Sequence, residues 1–218
     1  MNASKKIYTK ILALTVISSI LLTGCTQTNN SSSGESETKV SKEINTVKVD
    51  YTSEELYNKY EVLLPKVKEI YDNNGIIYDN MPYDTVFDDE IFEKQFKEIK
   101  GIYSTELELN DNISSTFFSI SENLEGNRNI MFNGAINTDN NNSKDIDIEK
   151  TFIKDITEVV SNEFNSGKVD YSEINKFINA SLKEERYKHE NTTEVFDYGN
   201  VKITVTALPT VLYYININ

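Results

Sequence analysis

The chain is poor in the residues from which most reactive centres are built. Its 218 residues hold one cysteine, one histidine and no tryptophan, with eight glycines and three prolines. A single cysteine cannot form an internal disulfide framework, and zinc sites assembled from histidine and cysteine are excluded by number alone. Any Ser-His-Asp or Cys-His arrangement would have to use His189, because such chemistry needs an imidazole held by a carboxylate beside the nucleophile. His189 lies instead in "ERYKHEN", at an expected helix end, where the dipole favours a solvated cation. The phosphate-cradling patterns GxGxxG and GxxxxGK[ST] do not occur, which removes the common nucleotide-binding loops. Without tryptophan, sugar stacking on an indole is also excluded.

Positive charge is scarce as well. Against 35 Asp and Glu stand 22 Lys and Arg, for a net charge of −13. A chain so acidic is repelled by phosphate backbones and anionic headgroups, so nucleic acid is not an expected partner. The positive charge that exists is unevenly placed. Lys5, Lys6 and Lys10 open the sequence with no acidic residue among them, and residues 11–24, "ILALTVISSILLTG", carry no charge at all. A basic leader followed by an apolar run has the form of an export signal. Fourteen residues at about 1.5 Å each span roughly 21 Å, short of the ~30 Å hydrocarbon core that a permanent membrane helix must cross.

The run ends in Leu22-Thr23-Gly24-Cys25, which resembles the lipobox of bacterial lipoproteins. The resemblance implies a diacylglyceryl thioether, with acyl chains such as palmitate, on the Cys25 sulfur. It also implies cleavage between Gly24 and Cys25, leaving Cys25 as the first mature residue. The thiol is the group that can act as nucleophile toward the lipid. At ~0.8 kcal/mol per buried methylene, one acyl chain holds marginally and two hold stably. Such a protein is expected on the outer, extracytoplasmic face of a cell membrane. Cleavage would remove three of the 22 basic residues and none of the acidic ones, leaving the mature chain at −16. Its membrane attachment would then come from the lipid on Cys25 rather than from a basic surface.

Behind Cys25, residues 26–50 are Ser, Thr, Asn and Glu with little apolar content, too little to offset the chain entropy of folding. Some 25 residues at ~5–6 Å × √n give a flexible tether with a root-mean-square span of roughly 25–30 Å. Residues 51–218 fit one α+β domain whose 13 tyrosines and ten phenylalanines can fill a core without disulfides.

Periodicity within that domain predicts four helices and six strands. The first helix, about 53–73, starts from Thr52 and Glu55 in capping-box spacing. It presents Leu56, Tyr60, Leu63, Val67 and Tyr71 on one face, and Pro65 is expected to kink it. A second helix is expected over about 89–100, presenting Ile91, Phe92, Phe96 and Ile99 and stopping at Gly101. Strands are read at 103–110, 113–121 and 129–137. Two further helices, about 147–165 and 171–187, precede strands at 193–198, 201–208 and 210–218. The order is two helices and three strands, twice. It suggests one antiparallel sheet with helices packed on one face, built from two ααβββ halves or from a single undivided α+β domain.

Candidate sites are weak by comparison. Asp139, Asn141 and Ser143 begin like a calcium loop, but Lys144 stands where the glycine belongs and Lys150 where the bidentate glutamate belongs. Close carboxylate pairs are expected by chance among 35 acids, and none stands out as a glycosidase pair. The stretch "GIIYDNMPYDTVFDD", residues 75–89, repeats aromatic–acid pairs at Tyr78-Asp79, Tyr83-Asp84 and Phe87-Asp88. Rings flanked by carboxylates can engage a cationic or peptide partner, and the same residues can instead cover a helix pair and form turns. No cofactor is expected. The expected function is a non-enzymatic, membrane-anchored lipoprotein domain that binds an envelope protein or peptide. The alternatives are a solute-binding lipoprotein of a transporter and a carboxylate-based hydrolase.

Overall fold

The first helix begins where the capping-box spacing places it. In the computed structural model, Thr52 Oγ1 accepts from the Glu55 amide at 3.2 Å while Glu55 Oε2 accepts from the Thr52 amide at 2.8 Å. Two otherwise orphaned donors are thereby satisfied. The helix α1, Ser53–Asn73, runs continuously across Pro65. Beyond it Gly75 takes φ +67, a left-handed conformation that costs glycine little. The structure describes residues 49–81, 96–105, 113–138, 145–183, 192–207 and 210–217, all within one compact unit, Ile44–Asn218.

Among the described residues, seven strands follow or flank three α-helices: β1 Tyr78–Asn80, β2 Phe96–Ser104, β3 Ile113–Asn123, β4 Arg128–Asn137, α2 Phe152–Glu163, α3 Tyr171–Lys183, β5 Thr192–Asp197, β6 Lys202–Ala207 and β7 Thr210–Ile217. They make one sheet in the order β1-β2-β3-β4-β7-β6-β5, with every neighbour antiparallel. The meander β2-β3-β4 meets the meander β5-β6-β7 through their last strands, Phe132 opposite Ile215 and Gly134 opposite Tyr213. The expected α+β class, an antiparallel sheet with helices on one face, is what forms.

Register shows that the helices share that face. Tyr60 of α1 stacks on Phe118 at 5.3 Å, and Gly134 lies under Ile153 of α2. Thr157 of α2 shares a 3.1 Å hydrogen bond with the Tyr213 hydroxyl, and Phe177 of α3 meets Phe196 edge-on at 6.0 Å. Phe118, Phe132, Ile203 and Phe196 are linked through cross-strand partners, so their side chains point the same way. With Ile102, Ile120, Ile130, Val205 and Ile215 they fill the layer under the helices, all buried. Burial pushes the hydroxyls of Tyr60, Tyr71 and Tyr213 well above the usual phenol range, since the phenolate cannot be solvated there.

The expected second helix over 89–100 is corrected in part. Phe96 and Ile99 belong to β2, and Gly101, expected as a stop, sits in the middle of that strand opposite Ser119. A bulge between Phe96 and Glu98 breaks the period-two pattern. Ile99 and Ile102 are three apart, as on one face of a helix, yet they emerge on opposite faces of the sheet. Among the described residues, one helix rather than two therefore precedes the first meander. The strand read at 103–110 correspondingly starts earlier, and residues 106–112 lie outside the described residues.

The N-terminal entry is tied down. The Val49 amide donates to Asn200 Oδ1 at 2.8 Å, and Asn200 Nδ2 donates to the Phe164 carbonyl at 2.8 Å. Tyr51 meets Phe164 edge-on at 5.2 Å, while Lys59 Nζ lies 5.4 and 5.1 Å from those two ring centres and donates to the Glu163 carbonyl.

Candidate functional site

Tyr78 and Asp79 do not converge. They are consecutive on β1, so the strand's period of two sends them to opposite sides. Tyr78 turns inward, its ring edge-on to Tyr71 at 5.6 Å with Lys68 Nζ 6.0 Å from its centre. Partial burial, and then the Asp72 carboxylate, raise its hydroxyl pKa. Asp79 is exposed, and its Oδ1 accepts from the next amide, that of Asn80, at 2.8 Å. Tyr78 packs against the core, which is the covering role rather than a partner-binding pair. Tyr83, Asp84, Gly24, Cys25, His189 and the loop from Asp139 to Ser143 lie outside the described residues.

Three carboxylates are held by cations. Glu122, at the end of β3, accepts from Lys97 Nζ at 2.7 Å and from Arg128 at 2.9 Å. These hydrogen bonds, with the two positive charges, hold its carboxyl below the usual carboxylate range. Arg128 also lies 4.9 Å from the Tyr57 ring centre and donates to the Ser53 carbonyl at 3.2 Å. The group therefore fastens the start of α1 to the sheet. Asp147 is likewise lowered, chiefly by its bond to Lys150 and further by Asn175, and Glu163 receives Lys59 and Lys66. Among the described residues no three His, Cys, Asp or Glu side chains gather as a metal site would require.

A shallow groove of about 270 Å³ runs between α1 and α2, with Asp155 and Glu158 on one wall. A glycosidase flanks its scissile bond with two acids from opposite sides. Here both stand one turn apart on the same helix, and Glu158 is 3.5 Å from Lys154.

The surfaces of the sheet not engaged by the helices have a different chemistry. On the second face, Ser119 and Ser121 of β3, Asn129, Met131 and Asn133 of β4, and Asn216 of β7 are neighbours by register. Asn133 is 1% exposed, and among the described residues neither of its side-chain polar atoms has a hydrogen-bond partner, nor do the buried Oδ1 atoms of Asn129 and Asn216. Ser119, Ser121, Met131 and Asn133 are buried, as are Phe117 and Tyr214 beside them, so this face is packed rather than open to solvent.

At the sheet's end, β5 has a strand neighbour on one side only among the described residues. Thr193, Glu194, Val195 and Asp197 are exposed along it. The sequence carried no signal for this edge, because strand order is not written in any local pattern.

No family model, no curated protein and no solved structure matches this chain. No described helix is long and apolar enough to cross a membrane.

Proposed function

We propose that the protein is a membrane-anchored extracytoplasmic lipoprotein whose α+β domain binds an envelope protein or peptide without catalysing a reaction. The observation that carries the anchoring is the quartet Leu22-Thr23-Gly24-Cys25 behind a basic leader and an uncharged run of fourteen residues. The polar segment that follows is the tether. Support for binding comes from the exposed edge strand β5, where Val195 is 55% exposed. Against acid–base chemistry weighs the pairing of Glu122, Asp147 and Glu163 with lysine or arginine, which holds the carboxyls of Glu122 and Asp147 below the usual carboxylate range.

Metabolic labelling with a fatty-acid analogue tests the anchor. The wild-type chain is expected to take up label and partition with membranes, and Cys25→Ser is expected to lose both. Unchanged labelling and retention in that variant would overturn the reading. The binding half is tested by crosslinking in intact cells with identification of the partner. A purified domain that turned over a defined envelope substrate would contradict it.

A further inference from the structure

The hairpin β5–β6 determines which backbone groups of β5 are left over. The Tyr198 amide donates to the Val201 carbonyl at 3.0 Å, and the register continues without a shift through Phe196–Ile203, Glu194–Val205 and Thr192–Ala207. In an antiparallel pair the residues alternate between facing the partner strand and facing away. Thr192, Glu194 and Phe196 therefore spend their amides and carbonyls on β6. Thr193, Val195 and Asp197 point theirs away from the sheet, a row of three donors and three acceptors.

Native sheets usually blunt such an edge with a lysine, a proline, a bulge or a very short strand. The opposite edge follows the rule, since β1 is three residues long. β5 has six residues, "TTEVFD", with no lysine, proline or bulge, and Val195 is 55% exposed. Its charges are Glu194 and Asp197, both negative.

We propose that the outer edge of β5 is a strand-addition site for an extended segment of a partner protein, bearing lysine or arginine opposite Glu194 and Asp197 and an apolar residue opposite Val195. Backbone pairing with Thr193, Val195 and Asp197 supplies the affinity, and alternate side chains supply the selection. The sign of charge chooses the occupant. A second copy pairing β5 with β5 would bring two acidic edges together, each with Glu194 and Asp197 and no basic residue on the strand, within chains of net charge −13, so like charge opposes that approach. A basic segment meets the opposite condition, and the field of the whole acidic chain steers it in.

This rests on the binding reading above and is independent of the lipid. The test uses the full-length chain in detergent and a capped peptide of lysine, threonine and valine, with lysines three residues apart and valine between them. The amides of Thr193, Val195 and Asp197 are expected to exchange freely in the protein alone and to slow at least tenfold with saturating peptide. A peptide with glutamate replacing lysine should protect them at least tenfold less well at equal concentration. Val195→Pro removes only an outward amide, which edge strands tolerate, so it should keep the native spectrum and lose peptide protection. Glu194→Lys leaves the backbone unchanged and should narrow or reverse the preference for the lysine peptide. Absence of protection at any peptide concentration overturns the proposal, as does protection that survives Val195→Pro. Protection already present without peptide also overturns it, and its dependence on protein concentration then tells closure by a second copy from closure by the chain itself. If Cys25 proves unlabelled while the peptide still protects the edge, the anchor fails and the strand-addition site stands.

Discussion

On the helix-covered face of the sheet, Phe118, Phe132, Ile203 and Ile215 pack under α1, α2 and α3 with almost no polar atom among them. On the opposite face the same strands present Ser119, Asn133, Thr204 and Asn216. One backbone thus carries two surfaces because side chains alternate at each step. Burial of apolar area drives the first, at roughly 25 cal/mol per Å². The second holds buried amides that make no bond among the described residues, each costing about 1–3 kcal/mol in lost hydration. One face is thus packed almost wholly with apolar side chains, while the other buries polar groups among Phe117, Met131 and Tyr214.

The sharpest way to break this contrast is to delete matched side chains on the two faces. Phe132→Ala, at 1% exposure under the helices, is expected to cost about 3–5 kcal/mol in denaturant unfolding. A loss below about 1 kcal/mol would mean that the apolar face is not the main source of stability.

The next largest effect tests how closely strands approach on the second face. An added Cβ on Gly101 would collide with the Phe118 carbonyl and lie 2.8 Å from Ser119 Cα, both backbone atoms of β3. Gly134, on the helix side, faces instead the flexible end of Ile153 at 2.8 Å. Gly101→Ala should cost about 3 kcal/mol, at the upper end for overpacking, and Gly134→Ala about 1 kcal/mol. Equal costs would remove the distinction.

Smaller, and opposite in sign, is Asn133→Leu. Replacing a buried, unpaired amide by a side chain of similar size should raise stability by about 1 kcal/mol, measured by the same unfolding curves. A marked loss would mean that Asn133 is hydrogen-bonded in solution.

The smallest effect separates charge from burial. Because Lys97 and Arg128 lower the Glu122 pKa in the folded protein, its stabilisation is present above the ordinary value of about 4.5 and disappears as pH falls through the lower folded value. Glu122→Gln should therefore lose stability at neutral pH and show a shallower acid transition below pH 4.5. Parallel curves for the two proteins would exclude that linkage.

Much of the helix-covered face was legible from particular residues. Thr52 and Glu55 announced the start of α1, and Val201, Ile203 and Val205 alternated with Lys202, Thr204 and Thr206 as the two faces of β6 require. Local geometry repeats every few residues, so a short window suffices. The stretch around Phe96 and Ile99 misled because a bulge interrupts the alternation of β2, and its partner β3 supplies what its own pattern lacks. Tyr78 and Asp79 read as a pair because they are adjacent, whereas a strand makes adjacent residues diverge. The edge position of β5 was illegible for another reason. "TTEVFD" would look the same in the middle of a sheet as at its rim.

By itself the sequence determined the acidic balance, the scarcity of histidine and cysteine, the capping box of α1 and most of the apolar alternation. Each depends on residue type or on neighbours a few positions away. Only the tertiary structure decided that β4 and β7 join the two meanders, leaving β5 at one rim and Asn133 near the centre of the second face. Pairing between Gly134 and Tyr213 joins residues far apart in the chain. It is selected by the fit of the whole apolar layer under the helices, a quantity that no local stretch contains.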